Sequence, residues 1–181
     1  MEEVLNNPSG EKVAVFGVGG LGIHAVQLLK IIGAFVIAID PREDARANAL
    51  ARGADFAFAP DDGELKKHRD SNAVFDFAGV SPVRKQALSL LGEQGRLVIV
   101  GIANEPIVIP NDMAFTYMRT QIMGHYGSEA HHVTELIELA ASGRLDLSHS
   151  ISEVLPLERA GDALDKLANK VGNPIRIVLK P

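Results

Sequence analysis

Two rhythms of apolar and polar positions alternate along this chain. Lys12–Val13–Ala14–Val15–Phe16 and Ala34–Phe35–Val36–Ile37–Ala38–Ile39 are short, nearly unbroken apolar runs, the pattern of strands covered on both faces. Between them, from Leu21 to Ile32, the period lengthens: Val26, Leu29 and Ile32 form a helical stripe reinforced by Leu28 and Ile31. The pattern predicts a further helix over Arg42–Arg52, stopped by Gly53, a short strand over Phe56–Ala59 and a polar helix over Asp61–Arg69. A second set repeats the layout, with a strand over Ala73–Phe77, a helix over Ser81–Leu91 and a strand over Gly95–Val100. The stretches Phe16–Asp40 and Phe77–Gly101 share one order of strand, glycine turn, helix, glycine and strand. Two such halves build a doubly wound parallel α/β sheet. A short helix over Pro110–Met118 and a sixth strand over Thr120–Met123 complete it. After Gly124 the character changes. Helical stripes at Val133, Leu136, Ile137 and Ala140 and at Ala160, Leu164, Leu167 and Val171 accompany strands over Ser150–Leu155 and Ile175–Leu179, predicting a small C-terminal α/β extension.

The first strand runs directly into Gly17–Val18–Gly19–Gly20–Leu21–Gly22, a G-x-G-x-x-G turn that opens a helix. In that context the motif is the dinucleotide-binding turn of a Rossmann fold. Gly17 makes the turn, Gly19 admits the pyrophosphate and Gly22 lets helix and strand pack closely. The backbone through Gly20 and Leu21 then presents the helix N-terminus to the phosphates. A tight turn holding nothing is the plain alternative for the motif alone. Asp40, ending the second strand, is placed to accept hydrogen bonds from the adenosine ribose and to repel a 2′-phosphate, which favours NAD over NADP. It could also cap the following helix, with Pro41 in its first turn, and both roles can hold. Arg42 points both ways, since it can stack on adenine or meet a 2′-phosphate. Ligands of such sheets lie at the carboxyl ends of the strands, which places Ala78, Gly79, Val80, Val100, Gly101 and Ile102 near the cofactor's ribose and nicotinamide end. His125 and Tyr126, after the sixth strand, are expected to border the nicotinamide.

Composition narrows the partners. A net charge of −5 on 181 residues disfavours nucleic acid and anionic membrane, both of which require basic patches. No apolar run is long enough to span a bilayer, and Met1–Gly10 lacks the charged and apolar regions of a secretory leader. The chain has no cysteine, which excludes disulfides, thiolate zinc sites and a cysteine nucleophile within it and suits a reducing, cytoplasmic setting. Adjacent His131 and His132 would point about 100° apart on a helix, so no metal site is expected. His24 is expected at the surface. Ser128 sits in no G-x-S-x-G elbow, which removes a hydrolase reading.

With these residues placed, the chain resembles the cofactor-binding part of the medium-chain, zinc-type alcohol dehydrogenases. Phe16–Gly22 followed by Ala25–Val26–Gln27 looks like that family's glycine turn. Gly53–Ala54–Asp55, Asp76–Phe77–Ala78–Gly79, Gly95–Gly101, Ile122–Met123–Gly124 and Arg176–Leu179 match later family segments in order. The resemblance implies a nicotinamide-binding domain over residues 10–127. It implies that residues 128–181 pack in the family against a catalytic domain that carries the zinc ligands and proton relay. Because the glycine turn begins at residue 17, that domain is expected to be missing, so zinc is expected only there and no catalytic residue is assigned in this chain. The family's dimers commonly join their cofactor domains into one sheet, and Thr120–Met123, an edge strand without lysine or proline, is expected to form a homodimer. Two other readings stand beside an alcohol dehydrogenase fragment: a non-catalytic dinucleotide-binding module and, on fewer grounds, an S-adenosylmethionine methyltransferase.

Overall fold

The computed structural model describes residues 9–181. Residues 1–8, and with them most of the Met1–Gly10 segment read for a leader, lie outside the described residues. The chain divides into two compact units, one ending at Glu129 and the other running Ala130–Pro181.

The first unit alternates strand and helix as the pattern predicts: β1 (Lys12–Phe16), α1 (Gly22–Ile31), β2 (Phe35–Ile39), α2 (Glu43–Ala51), β3 (Phe56–Phe58), β4 (Ser71–Asp76), α3 (Ser81–Leu90), β5 (Leu91–Ile99), α4 (Asp112–Tyr117) and β6 (Gln121–Gly124). The six strands are parallel in the order β3-β2-β1-β4-β5-β6. This is the doubly wound Rossmann arrangement, with its switch point between β1 and β4.

Side-chain alternation along β1 explains why its sequence is apolar from Val13 to Phe16. Val13 and Val15 join Ile23, Val26 and Leu29 of α1 in one core, while Ala14 and Phe16 join Ala87 and Leu90 of α3 in another. Ile23, Val26 and Leu29 are wholly buried, and each contributes about 1.5–3 kcal/mol by leaving water. Helix α2 stops where Gly53 takes φ +102°, with the Gly53 and Ala54 N–H groups donating to Leu50 and Ala49 carbonyls.

Four differences from the sequence reading are local. The polar segment expected as a helix is a 3₁₀ turn over Gly63–His68, nucleated by Asp62 accepting from the Glu64 N–H. Strand β5 begins at Leu91, before the expected Gly95. Ser71 pairs with Leu91, the register then shifts, and pairing resumes at Ala73 with Arg96. Polar Glu93 and Gln94 stand in that bulge, so no apolar run marked its start. His24 is half-buried on α1 rather than at the surface. The rings of His131 and His132 do not diverge but lie 4.1 Å apart, tilted by 52°.

In the second unit, α5 (Ala130–Ala141) precedes β7 (Glu153–Pro156), α6 (Ala160–Ala168) and β8 (Ile177–Lys180). Strands β7 and β8 pair in parallel, and Lys166 of α6 donates to Glu153 at 2.7 Å. A 3₁₀ turn over Ser148–Ser150 occupies the start of the segment read as a strand. Among the described residues no helix is long and apolar enough to cross a membrane.

Candidate functional site

The three motif glycines differ in what surrounds them. Gly17 leaves β1 at φ +80°, where a Cβ would lie 3.0 Å from the Ala78 nitrogen. A Cβ on Gly22 would lie 2.0 Å from the Gly17 carbonyl oxygen, so glycine there lets α1 meet the turn. Both are required by the fold itself. Gly19 is not: its φ is ordinary, and the nearest atom to a Cβ is the Arg42 guanidinium at 3.8 Å. Among the described residues nothing needs glycine at that place, since a Cβ there would make only ordinary contact with the end of the Arg42 side chain. Helix α1 behind it has no side-chain cap hydrogen bond and no acid in its first turn. Leu21, at the helix entrance, is 61% exposed. Arg42 reaches toward Gly19 from the start of α2.

Asp40 is buried at the end of β2 and ties the turn to the next helix. Its Oδ2 accepts from the Val18 N–H at 3.1 Å, and its Oδ1 from the Arg42 N–H at 2.9 Å and the Arg42 Nε at 3.3 Å. These three bonds leave about one lone-pair direction for a ligand hydroxyl. The residue at the N-cap of α2 is Arg42, so Asp40 supports the turn before that helix instead of capping it. Arg46, which carried no role in the sequence reading, donates from Nη1 to the Asp40 and Pro41 carbonyls at 2.8 Å.

Across the switch point, Phe77 donates to the Phe16 carbonyl, setting Ala78–Gly79–Val80 beside the glycine turn. Ala78 and Val80 are exposed, and Gly79 is buried at φ +71°. The Val100 and Gly101 N–H groups both donate to the Asp76 carbonyl, at 3.0 and 2.8 Å, and Ile102 beyond them is 81% exposed. Residues 17–22, Asp40, Arg42, 78–80 and 100–102 therefore line one side of the sheet, along the carboxyl ends of β1, β2, β4 and β5. His125 and Tyr126 follow β6 on the same side, with β4 and β5 between them and β1, and both are exposed.

Sequence reasoning missed Asp76 and Arg84. Asp76 ends its strand as Asp40 does and also accepts a turn N–H, from Gly79 at 2.8 Å. That repetition between the two halves was the available signal. Arg84, on the polar-looking α3, is 4% exposed and had no pattern to reveal it.

Two titration shifts lie at the opposite, amino end of the strands. Burial and the nearby Lys12 hold His68 below the ordinary 6.5. A hydrogen bond from Lys12 holds Asp70 below 3.8.

Among the described residues no three His, Asp or Glu side chains converge on a point, and the chain has no cysteine, so these residues do not fit a zinc ion. The lack of any packing need at Gly19, the Arg42 guanidinium beside it and the end of α1 without a side-chain cap fit a diphosphate.

Residues 20–142, more than half the chain, match the family model described as zinc-binding dehydrogenase. The chain is 32% identical over 166 residues to an NAD-dependent alcohol dehydrogenase of Sulfolobus acidocaldarius, covering 89% of this chain and 48% of that protein. The solved alcohol dehydrogenase of Aeropyrum pernix matches with a TM-score of 0.80 at 31% identity, over 96% of this chain and 51% of that one. A Sinorhizobium meliloti protein of zinc-binding dehydrogenase type, bound to NADP, matches in fold with a TM-score of 0.88 at 23% identity, over 99% and 55%. The chain thus spans about half the length of the curated relatives it matches. It belongs to the zinc-binding dehydrogenase family of oxidoreductases.

Proposed function

We propose that this chain binds a nicotinamide dinucleotide, NAD(H) in preference to NADP(H), as the cofactor-holding part of an alcohol dehydrogenase-type oxidoreductase. The observation that carries this reading is Gly19, a motif glycine that neither backbone conformation nor packing requires. A diphosphate lying against Gly19, Gly20 and Leu21 would meet the uncapped end of α1, with Gly17 and Gly22 shaping the turn and Arg42 overhead. Asp40 would use its remaining lone pair on an adenosine ribose hydroxyl. The fold itself does not choose between cofactors, since the Sinorhizobium meliloti protein carries NADP and the Sulfolobus acidocaldarius relative is NAD-dependent. The choice here rests on the negative charge of Asp40, which opposes a 2′-phosphate. Ala78, Gly79, Val80, Val100, Gly101 and Ile102 would line the inner half, with His125 and Tyr126 at its outer margin.

When bound, the nicotinamide ring supplies or accepts a hydride. The contribution of this chain is to bind and orient the dinucleotide, and no residue of it is assigned to proton transfer. Residues 10–127 form the dinucleotide domain in this reading, and residues 128–181 the segment that packs toward a catalytic domain. The open edge of β6 supports a homodimer through Thr120–Met123.

Calorimetry with millimolar NADH tests the reading. The wild-type chain should give a binding heat that Gly19→Val abolishes without changing the melting temperature, because among the described residues the only close neighbour there is the flexible end of Arg42. A folded wild-type chain that gives no heat would refute it.

A further inference from the structure

Beneath the inner half of the crevice lies an ion pair to which the dinucleotide reading gives no task. Asp76 is wholly buried, and Arg84 of α3 is 4% exposed. The Arg84 Nε stands 3.4 Å from the Asp76 Oδ2 without hydrogen-bond geometry, so their link is one of charge. The Asp76 Oδ1 is committed to the Gly79 N–H. The other guanidinium nitrogens face main-chain oxygens. Nη1 donates to Glu105 at 3.2 Å, and Nη2 is shared between Gly79 at 3.5 Å and Gly101 at 3.4 Å. These are long bonds individually, but they converge on one cation from two separate loops.

Those loops touch through their glycines. A Cβ on Gly79 would lie 2.8 Å from the Gly101 carbonyl carbon, and one on Gly101 would lie 2.4 Å from the Gly79 nitrogen. Backbone meets backbone, with Arg84 underneath holding an oxygen of each. The second loop is tied down further where Ser81 donates its N–H to the Glu105 carboxylate at 2.8 Å and its hydroxyl to the Pro106 carbonyl at 3.3 Å.

A buried ion pair is a poor device for stability, because apolar side chains of similar volume commonly do as well or better. A planar cation with five donors in a fixed fork is a good device for setting distances between carbonyls. We infer that Arg84, held by Asp76, is a positioning residue that sets the spacing of the 78–80 and 101–102 loops for the inner, nicotinamide-side half of the dinucleotide. The inference rests on the dinucleotide reading above and adds a residue outside the crevice wall. The adenosine and diphosphate half, cradled by the glycine turn and Asp40, does not depend on Arg84.

The test compares two ligands on the full chain, NADH and ADP, by calorimetry. Arg84→Lys keeps the charge that Asp76 requires but concentrates it on one ammonium, which cannot span the two loops. Asp76→Asn keeps an acceptor for the Gly79 N–H and removes the charge. Each variant should weaken NADH about tenfold, because preorganisation of the inner half is lost. ADP affinity should stay within about twofold in both. Equal losses for the two ligands, or no loss, would overturn the inference. So would failure of both variants to fold, which would assign the pair to stability alone. A wild-type chain that does not take up NADH refutes the dinucleotide reading itself, and that is seen before any variant is compared.

Discussion

Replacing Asp40 separates two tasks that one carboxylate performs. Asp40→Asn keeps the shape and one acceptor oxygen but turns an NH₂ group toward either the Val18 or the Arg42 N–H, each of which now donates to a carboxylate oxygen. Leaving one such donor unsatisfied in a buried place costs about 1–3 kcal/mol, so the melting temperature should fall. That loss loosens the glycine turn for every ligand and weakens NADH and NADPH alike. The second task appears only in the ratio. A hydrogen bond from a ribose hydroxyl to a carboxylate is worth about 1.5–3 kcal/mol. Its removal, together with relief of repulsion against a 2′-phosphate, should move the NADPH-to-NADH affinity ratio on the order of 10- to 100-fold toward NADPH. Asp40→Ser should move the ratio the same way with a larger drop in melting temperature, because the shorter side chain cannot serve both N–H groups. Calorimetry with both cofactors, at low and moderate salt, reads the ratio directly. A lower melting temperature with an unchanged ratio would leave Asp40 as a support of the turn and nothing more.

Acid should destabilise the first unit by a route that bypasses the crevice. His68 and Asp70 both have folded pKa values below their ordinary ones, so each contributes stability above its unfolded value, near 6.5 and 3.8, that fades as pH falls through the folded value. Asp70 is 68% exposed, so its share is the smaller. Thermal melts from pH 7 to pH 5 should show the gap between wild type and His68→Gln narrowing with acid, and a gap independent of pH would contradict the assignment. For the proposed dimer, the His125 N–H donates to Ile99 of β5, so by alternation the Ile122 N–H points to the open edge of β6. Ile122→Pro should therefore convert a dimer to a monomer by light scattering, and a wild-type monomer, or a dimer indifferent to the change, would remove the edge-strand model.

The order of elements in the first unit was legible in the chain because burial imposes period two on strands and 3.6 on helices wherever a segment has one environment along its length. The placing of the glycine turn and of Asp40 at strand ends was legible for a related reason: glycines and a carboxylate that close apolar runs are local signals read in known order. The motif letters were not equally informative. Gly17, Gly19 and Gly22 look alike in sequence, yet a Cβ meets the Ala78 nitrogen at the first, only the end of the Arg42 side chain at ordinary contact distance at the second and the Gly17 carbonyl at the third. Only neighbours brought in by folding distinguish a glycine that packing requires from one that it does not. The early start of β5 escaped notice because a bulge leaves polar residues unpaired and so erases the apolar run. Arg84 escaped because a charged residue on a helix reads as solvated until the tertiary structure lays Asp76 and two loop carbonyls against it. Sequence by itself thus determined the sheet, its helices and the glycine turn between β1 and α1, since those follow from the burial of near neighbours along the chain. The tertiary structure decided the partners of Asp40, Asp76 and Arg84, because hydrogen bonds between distant segments depend on where the chain returns, and no local periodicity records that.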